Sequence, residues 1–202
     1  MKIEIIPKLG SLDRLNVLLD GEVWKEVHPA IFGRKTRFIA IVDEADLFSK
    51  FNAYEFQRVR NYVIWRLSKQ NYHSQEVSRL LKERLASQST IQKVMQEFIE
   101  KGFFNDQLWV ESFIRTQRKR LALPAILQKM KLKGLSQEEI ESVRKTWQDV
   151  DQEKLSIENL LRTRYRKKNL EEFSEKQKVI KALLRKGFSF ENIKQVLDGF
   201  HS

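Results

Sequence analysis

Two stretches of this 202-residue chain hold cations without the acids that usually accompany them. From Ser112 to Gln137 there is no Asp or Glu, while Arg115, Arg118, Lys119, Arg120, Lys129, Lys131 and Lys133 are all present. Arg162, Arg164, Arg166, Lys167 and Lys168 then place five basic residues within seven. A helix face that only meets water intersperses acids for i,i+4 pairing. Runs of one sign favour an anionic partner, because Lys and Arg contact phosphates and release counterions without reading bases. Spacing places Lys129 and Lys133 on one helix face, and Arg162 and Arg166 on another. These residues form the candidate surface for nucleic acid or for an acidic protein partner.

Other chemistry is excluded more readily. The chain has no cysteine, so disulfides, thiolate metal sites and a Cys nucleophile are out, and a reducing cytoplasm suits it. Its three histidines (His28, His73 and His201) lie far apart, which argues against a histidine metal centre. No nucleophile elbow, phosphate-cradling loop, dinucleotide fingerprint or zinc spacing occurs. Acidic groups such as Glu138-Glu139 with Glu141, and Glu171-Glu172, read as solvated faces or helix caps. The expectation is no catalysis, no cofactor and no metal. His28, just before Pro29, reads as a turn or surface residue, and His201 lies in a tail expected to fray. Trp24, Trp65, Trp109 and Trp147 read as core or inter-helix packing rather than base-stacking platforms.

The charge is unevenly distributed. The chain carries 38 basic and 27 acidic residues, for a net +11. Residues 1–50 hold eight of each sign, so all of the excess belongs to the remainder. The longest apolar run, Phe38–Val42, has five residues, where a membrane span needs about 20. The charged, proline-interrupted start does not read as a secretory signal. The expected location is the cytoplasm, with no membrane partner.

The elements that must position the cations fall into two classes. Lys2-Ile3-Glu4-Ile5 and Arg14-Leu15-Asn16-Val17 alternate, Glu22–Val27 is strand-like, and Asp20-Gly21 suits a tight hairpin turn. Residues 1–50 therefore predict a β-rich unit of two or three strands that packs on the helices C-terminal to it. Phe38–Val42 reads as a further short strand or the lead into a helix. Beyond residue 52 the period becomes helical, and a unit repeats. Val77, Leu81, Ser87, Ile91, Val94 and Phe98 recur 49 positions later as Ile126, Met130, Ser136, Ile140, Val143 and Trp147. After 53 more they recur as Val179, Leu183, Ser189, Ile193, Val196 and Phe200.

Lys133-Gly134-Leu135-Ser136 and Lys186-Gly187-Phe188-Ser189 spell one turn twice. Glycine closes a helix in the left-handed conformation, and serine caps the next. Ser136-Gln137-Glu138-Glu139 reads as a full capping box. Leu85-Ala86-Ser87 replaces the glycine turn in the first copy, predicting a looser turn there. A leading helix is expected in each copy, over 53–70, 106–120 and 154–168. The predicted division is a β-rich extension over 1–50 and three-helix repeats over 51–105, 106–153 and 154–202.

These repeats resemble the RecX regulatory proteins, modulators of the RecA recombinase. The likeness is carried by Glu100–Asp106 with Phe113-Ile114-Arg115, by Leu127–Ser136 and by Lys178–Val196. Arg14–Val17 and Leu19–Glu22 are similar to the extension of longer members. His73 stands where the family favours a Ser or Thr cap, which predicts a weaker cap. Asn105 stands where two adjacent acids are usual, and Leu123 where Gly usually precedes the proline.

The resemblance implies a mainly α fold of three tandem three-helix repeats in an elongated, curved array. It implies a regulatory protein of DNA repair, recombination and the SOS response. Such a protein binds in the groove of the RecA filament and inhibits ATP hydrolysis, strand exchange and filament extension. Expected partners are the RecA filament and single- or double-stranded DNA without strong sequence preference, with the protein a monomer. The alternative is a sequence-specific helix-turn-helix regulator built on the Lys133–Ser136 turn. The acidic start of the following helix, Glu138-Glu139-Ile140-Glu141, counts against it.

Overall fold

A computed structural model describes residues 1–34, 39–147 and 150–200, with only the backbone described for Ile39–Ile41, Val150 and Asp151. Phe38 and His201, which enter two of the sequence expectations, lie outside the described residues. The chain divides into two compact units, Met1–Asp106 and Gln107–Ser202.

Unit 1 opens with an antiparallel sheet of β1 (Lys2–Pro7), β2 (Leu15–Leu19), β3 (Glu22–Val27) and β4 (Ile39–Ile41), in the order β3-β2-β1-β4. The sequence suggests two or three strands; the fourth, Ile39–Ile41, pairs with β1, and α2 begins three residues beyond it. Alternation sends Ile3, Ile5, Leu15, Val17 and Val27 to the buried face. Asp20 and Gly21 turn the β2–β3 hairpin with φ of 47° and 92°.

Four helices follow in this unit: α1 (Pro29–Phe32), α2 (Glu44–Leu67), α3 (Ser74–Glu83) and α4 (Gln88–Glu100). His28 caps α1, its Nδ1 accepting from the Ala30 N–H at 2.9 Å, in keeping with its reading as a turn residue. Helix α2 begins nine residues before the expected 53, because Leu47 and Phe51 extend its apolar stripe and Glu44 and Asp46 suit its first turn. It ends at Leu67 rather than 70. The sheet and α2–α4 share one core, from Ile3 and Val17 through Phe32 and Phe51 to Leu81, Val94 and Phe98.

Helix α5 (Asp106–Gln117) leads into unit 2, which continues with α6 (Leu123–Lys133), α7 (Gln137–Thr146), α8 (Val150–Thr163), α9 (Phe173–Leu184) and α10 (Phe190–Gly199). One core gathers Ile126, Met130, Leu135, Ile140 and Val143 with Trp109 and Phe113. Another gathers Ala122, Ile157, Leu161, Val179, Leu183, Phe188 and Ile193.

The repeat is visible in backbone chemistry. Three helices end in the same bond: Ala86 N–H to the Leu81 carbonyl (3.1 Å), Leu135 to Met130 (3.2 Å) and Phe188 to Leu183 (3.4 Å). The residue before each donor has positive φ: Leu85 at 58°, Gly134 at 92° and Gly187 at 89°. The first turn is therefore not looser. Leu85 adopts the conformation that glycine takes in the other two, at a cost of roughly 1–2 kcal/mol. Ser87, Ser136 and Ser189 each cap the next helix through a bond from the backbone N–H three residues on, and Ser136 with Glu139 completes the capping box. His73 also caps, its Nδ1 accepting from the Gln75 N–H at 3.2 Å while the side chain is fully buried.

Candidate nucleic-acid and partner interface

Both basic runs lie in unit 2, and their fates differ residue by residue. Helix α5 stops at Gln117, short of the expected 120. The N–H groups of Arg120 and Leu121 turn back to the Gln117 carbonyl at 2.9 and 3.0 Å. Lys119 and Arg120 thus sit on a turn. Helix α8 stops at Thr163 rather than 168, because Arg164 and Tyr165 both donate to the Leu160 carbonyl, at 2.9 and 3.0 Å. This corrects the expected helix face shared by Arg162 and Arg166: Arg162 is in the last turn of α8, and Arg166 lies beyond its end.

The third contributor is the α9–α10 turn. Ala122 N–H donates to the Lys186 carbonyl at 3.0 Å, fastening that turn to the start of α6. Gly187 permits the approach: a Cβ there would lie 3.2 Å from both the Cβ and the backbone N of Ala125. Ser156, almost fully buried in α8, donates to the Arg118 carbonyl at 2.8 Å and fixes the α5–α6 turn against α8.

These ties create a cleft of about 400 Å³ lined by Lys119, Arg120, Asn159, Leu160, Thr163, Arg164 and Lys186, with no carboxylate among these lining residues. Burial holds the Lys186 ammonium below its usual range, and the neighbouring Arg164, Lys129 and Arg120 push the same way. Like charges are thus concentrated at this cleft.

The remaining candidates are spent differently. Lys129 donates to Gln117 Oε1 at 2.9 Å. Lys133 stands over the Trp109 ring at 5.5 Å, and Arg162 over Phe200 at 5.3 Å. Lys168 pairs with Glu175 at 2.7 Å, and Lys178 reaches the same carboxylate at 3.0 Å, which lowers its pKa. Arg115, Lys131, Arg166 and Lys167 are exposed, and Arg118 is half-buried. Sequence reasoning misses Lys186, Asn159 and Thr163. The repeated Lys-Gly turn holds the signal for Lys186, but in sequence it reads only as turn geometry.

Of the four tryptophans, Trp24 packs edge-on to Phe48 and Phe51, Trp109 stacks on Phe113, and Trp147 lies against the core around Met130. Trp65 departs from its expected packing role and is 52% exposed. Among the described residues no group of three or more His, Asp or Glu could hold a metal ion, and no helix is long and apolar enough to cross a membrane.

The later cleft residues, Asn159, Leu160, Thr163, Arg164 and Lys186, also lie where a family model matches: residues 156–197 fit the model described as RecX, third three-helix domain. A regulatory protein RecX of Streptococcus uberis is 30% identical over 148 residues, spanning 70% of this chain and 55% of the relative. Family model and relative both support a RecX-family protein. A RecX of Bacillus pumilus is 26% identical over 207 residues, covering 96% of this chain and 75% of its own. One from Photobacterium profundum is 29% identical over 104 residues, 51% of this chain and 39% of its own. The chain thus spans 55% of the Streptococcus relative and 39% of the Photobacterium one.

Two solved RecX structures share the fold. A crystal structure of regulatory protein RecX matches with a TM-score of 0.56 at 20% identity, over 98% of this chain and all of the other. RecX from Lactobacillus salivarius matches with a TM-score of 0.54 at 22% identity, over 73% and 97%.

Proposed function

We propose that this RecX-family chain binds the RecA recombinase filament, in its helical groove, and inhibits ATP hydrolysis, strand exchange and filament extension. The observation that carries the nucleic-acid part is the carboxylate-free cleft where Arg120, Arg164 and Lys186 converge from three turns. Cations so placed, with exposed Arg115, Lys131, Arg166 and Lys167 in the flanking sequence, fit phosphate contact without base reading. The likeness to RecX proteins supports RecA as the protein partner. On this reading the protein is a non-enzymatic cytoplasmic regulator of recombination and repair, acting as a monomer. Its helical part works as three repeats, over 51–105, 106–153 and 154–202. The helix-turn-helix alternative is disfavoured: α7, the helix that would enter the groove, opens with Glu138 and Glu139, whose charge phosphates repel.

The test uses purified RecA on single-stranded DNA. Adding this protein at stoichiometries that coat the filament should suppress ATP hydrolysis, and unchanged hydrolysis would overturn the proposal. Selection of binding sites from random duplexes should yield no consensus. A strong consensus would favour the alternative.

A further inference from the structure

One face of α2 carries Arg58, Asn61, Tyr62, Trp65 and Arg66, spaced by successive helical turns. The first four, with Ala30 and Ile31 of α1, line a cleft of about 270 Å³ in unit 1. Tyr62 is more than nine-tenths buried, yet its Oη has no hydrogen-bond partner. The Nε groups of Arg66 and Arg84 are buried and unpartnered as well. Buried polar groups are ordinarily satisfied, and Tyr62 is the one of these three that lines the cleft, so its orphaned phenol points to something that binds there.

The surroundings define what that is. Arg58 is locked in place by the carbonyls of Ile31 (3.1 Å) and Phe32 (2.7 Å). Arg84 lies 5.4 Å from the Tyr62 ring, and Arg66 lies 4.8 Å from Tyr72 and 6.0 Å from Trp65. Burial keeps the Tyr62 phenol above its usual pKa against the pull of Arg84 and Arg66, so it is a donor at neutral pH. Trp65 offers a half-exposed indole beside these groups, its ring 6.1 Å from that of Tyr62. No carboxylate is among the residues lining the cleft. An apolar side chain would fill the space and leave the Tyr62 phenol unpaired. A lone carboxylate would pair it and leave Trp65 bare. A flat ring with acceptors on its edge and an attached anion satisfies both.

We propose that this cleft seats one nucleobase of single-stranded DNA: the base stacks on Trp65, its edge meets Tyr62 and Asn61, and Arg58 faces the adjoining phosphate. This goes beyond the function proposed above, on which it rests only for DNA as the partner. The phosphate cleft belongs to unit 2, and the base seat to unit 1.

The test compares a thymidine oligonucleotide with an abasic phosphodiester strand of equal length, followed by tryptophan fluorescence and by affinity, using the full chain. Thymidine should quench emission and bind more tightly than the abasic strand. Trp65→Ala should weaken thymidine binding about five- to hundredfold, the usual worth of one base–aromatic stack, and leave abasic affinity and salt dependence unchanged. Trp65→Phe should restore most of the loss, and Tyr62→Phe should cost a few-fold. Equal binding of the two strands without quenching would overturn the proposal, as would an equal effect of Trp65→Ala on both. So would quenching by an acidic aromatic peptide but not by thymidine, which would assign the cleft to a protein partner. Arg164→Ala with Lys186→Ala should weaken both strands alike. If it does not, the phosphate reading fails while the base-dependent difference still stands or falls alone.

Discussion

The Glu55 side of unit 1 and the cleft of unit 2 treat their cations in opposite ways. In unit 1 several charges are consumed internally: Arg60 and Lys101 share Glu97, Lys8 reaches Glu26, and Lys25 reaches the fully buried Glu55. Glu55 also accepts from the hydroxyls of Ser87 and Thr90, so one carboxylate joins the sheet, α2 and the cap of α4. In unit 2 the cleft cations Arg120, Arg164 and Lys186 converge with no acid among the lining residues. Charge that is neutralised at home stabilises a fold. Charge left to repel its neighbours costs some stability and is available to a partner. Net charge alone does not separate these uses; the location of the acids does.

The sharpest way to break the contrast is to remove the unit 1 carboxylate. Glu55→Ala should destabilise the protein by about 2–4 kcal/mol, since it strands half-buried Lys25 and Ser87 and the buried Thr90 hydroxyl. Urea unfolding checks this, and a loss under about 1 kcal/mol would mean the carboxylate organises little. Next in size is Gly187→Ala, which combines a left-handed φ with a close approach to Ala125. It should cost about 2–3 kcal/mol and, by shifting the α9–α10 turn, weaken DNA binding as well. Gly134→Ala, at a similar φ, should cost only about 1–2 kcal/mol and spare binding. Lys186→Met should go the other way in stability, unfolding at the same or higher urea while binding DNA less well. A destabilised Lys186→Met would show that this cation is structural.

The smallest effect is acid sensitivity. Glu97 is held below its ordinary 4.5 by Lys101 and Arg60, and Glu175 by Lys168 and Lys178. Because the folded-state values are depressed, these pairs contribute above the ordinary carboxylate range and lose that contribution as pH falls through the lowered values. Glu97→Gln and Glu175→Gln should each flatten the acid limb of a stability–pH curve slightly. Both carboxylates are part-buried near the surface, and their exposed cationic partners are screened by solvent, so the change should be small.

Much of the fold is legible in the sequence because it is written locally. Apolar period, left-handed closure and serine capping act within about six residues, so three copies can be read from Leu81 through Ser189 without knowing any long-range contact. The binding cleft is legible in its ingredients but not in its assembly. Arg120, Arg164 and Lys186 are distant in sequence and meet through the Ala122–Lys186 backbone bond and the space left by Gly187. Lys168, equally basic on paper, is neutralised by Glu175. Helix ends also mislead: the third leading helix is expected to run to 168, whereas α8 closes on Leu160. Residue type alone assigns Trp65 to packing, and only the three-dimensional neighbourhood shows it half-exposed.

The most direct test of the unit 2 assignment is the salt dependence of single-stranded DNA affinity. Arg164→Glu with Lys186→Glu is compared with Lys50→Glu and Lys101→Glu, a control of equal charge change in unit 1. If the cleft carries the phosphate contacts, its reversal should flatten the log–log slope by roughly 0.7 per lost phosphate contact, while the control keeps the wild-type slope. Equal flattening by both pairs would mean that only overall charge matters, and would contradict the division of labour between the two units.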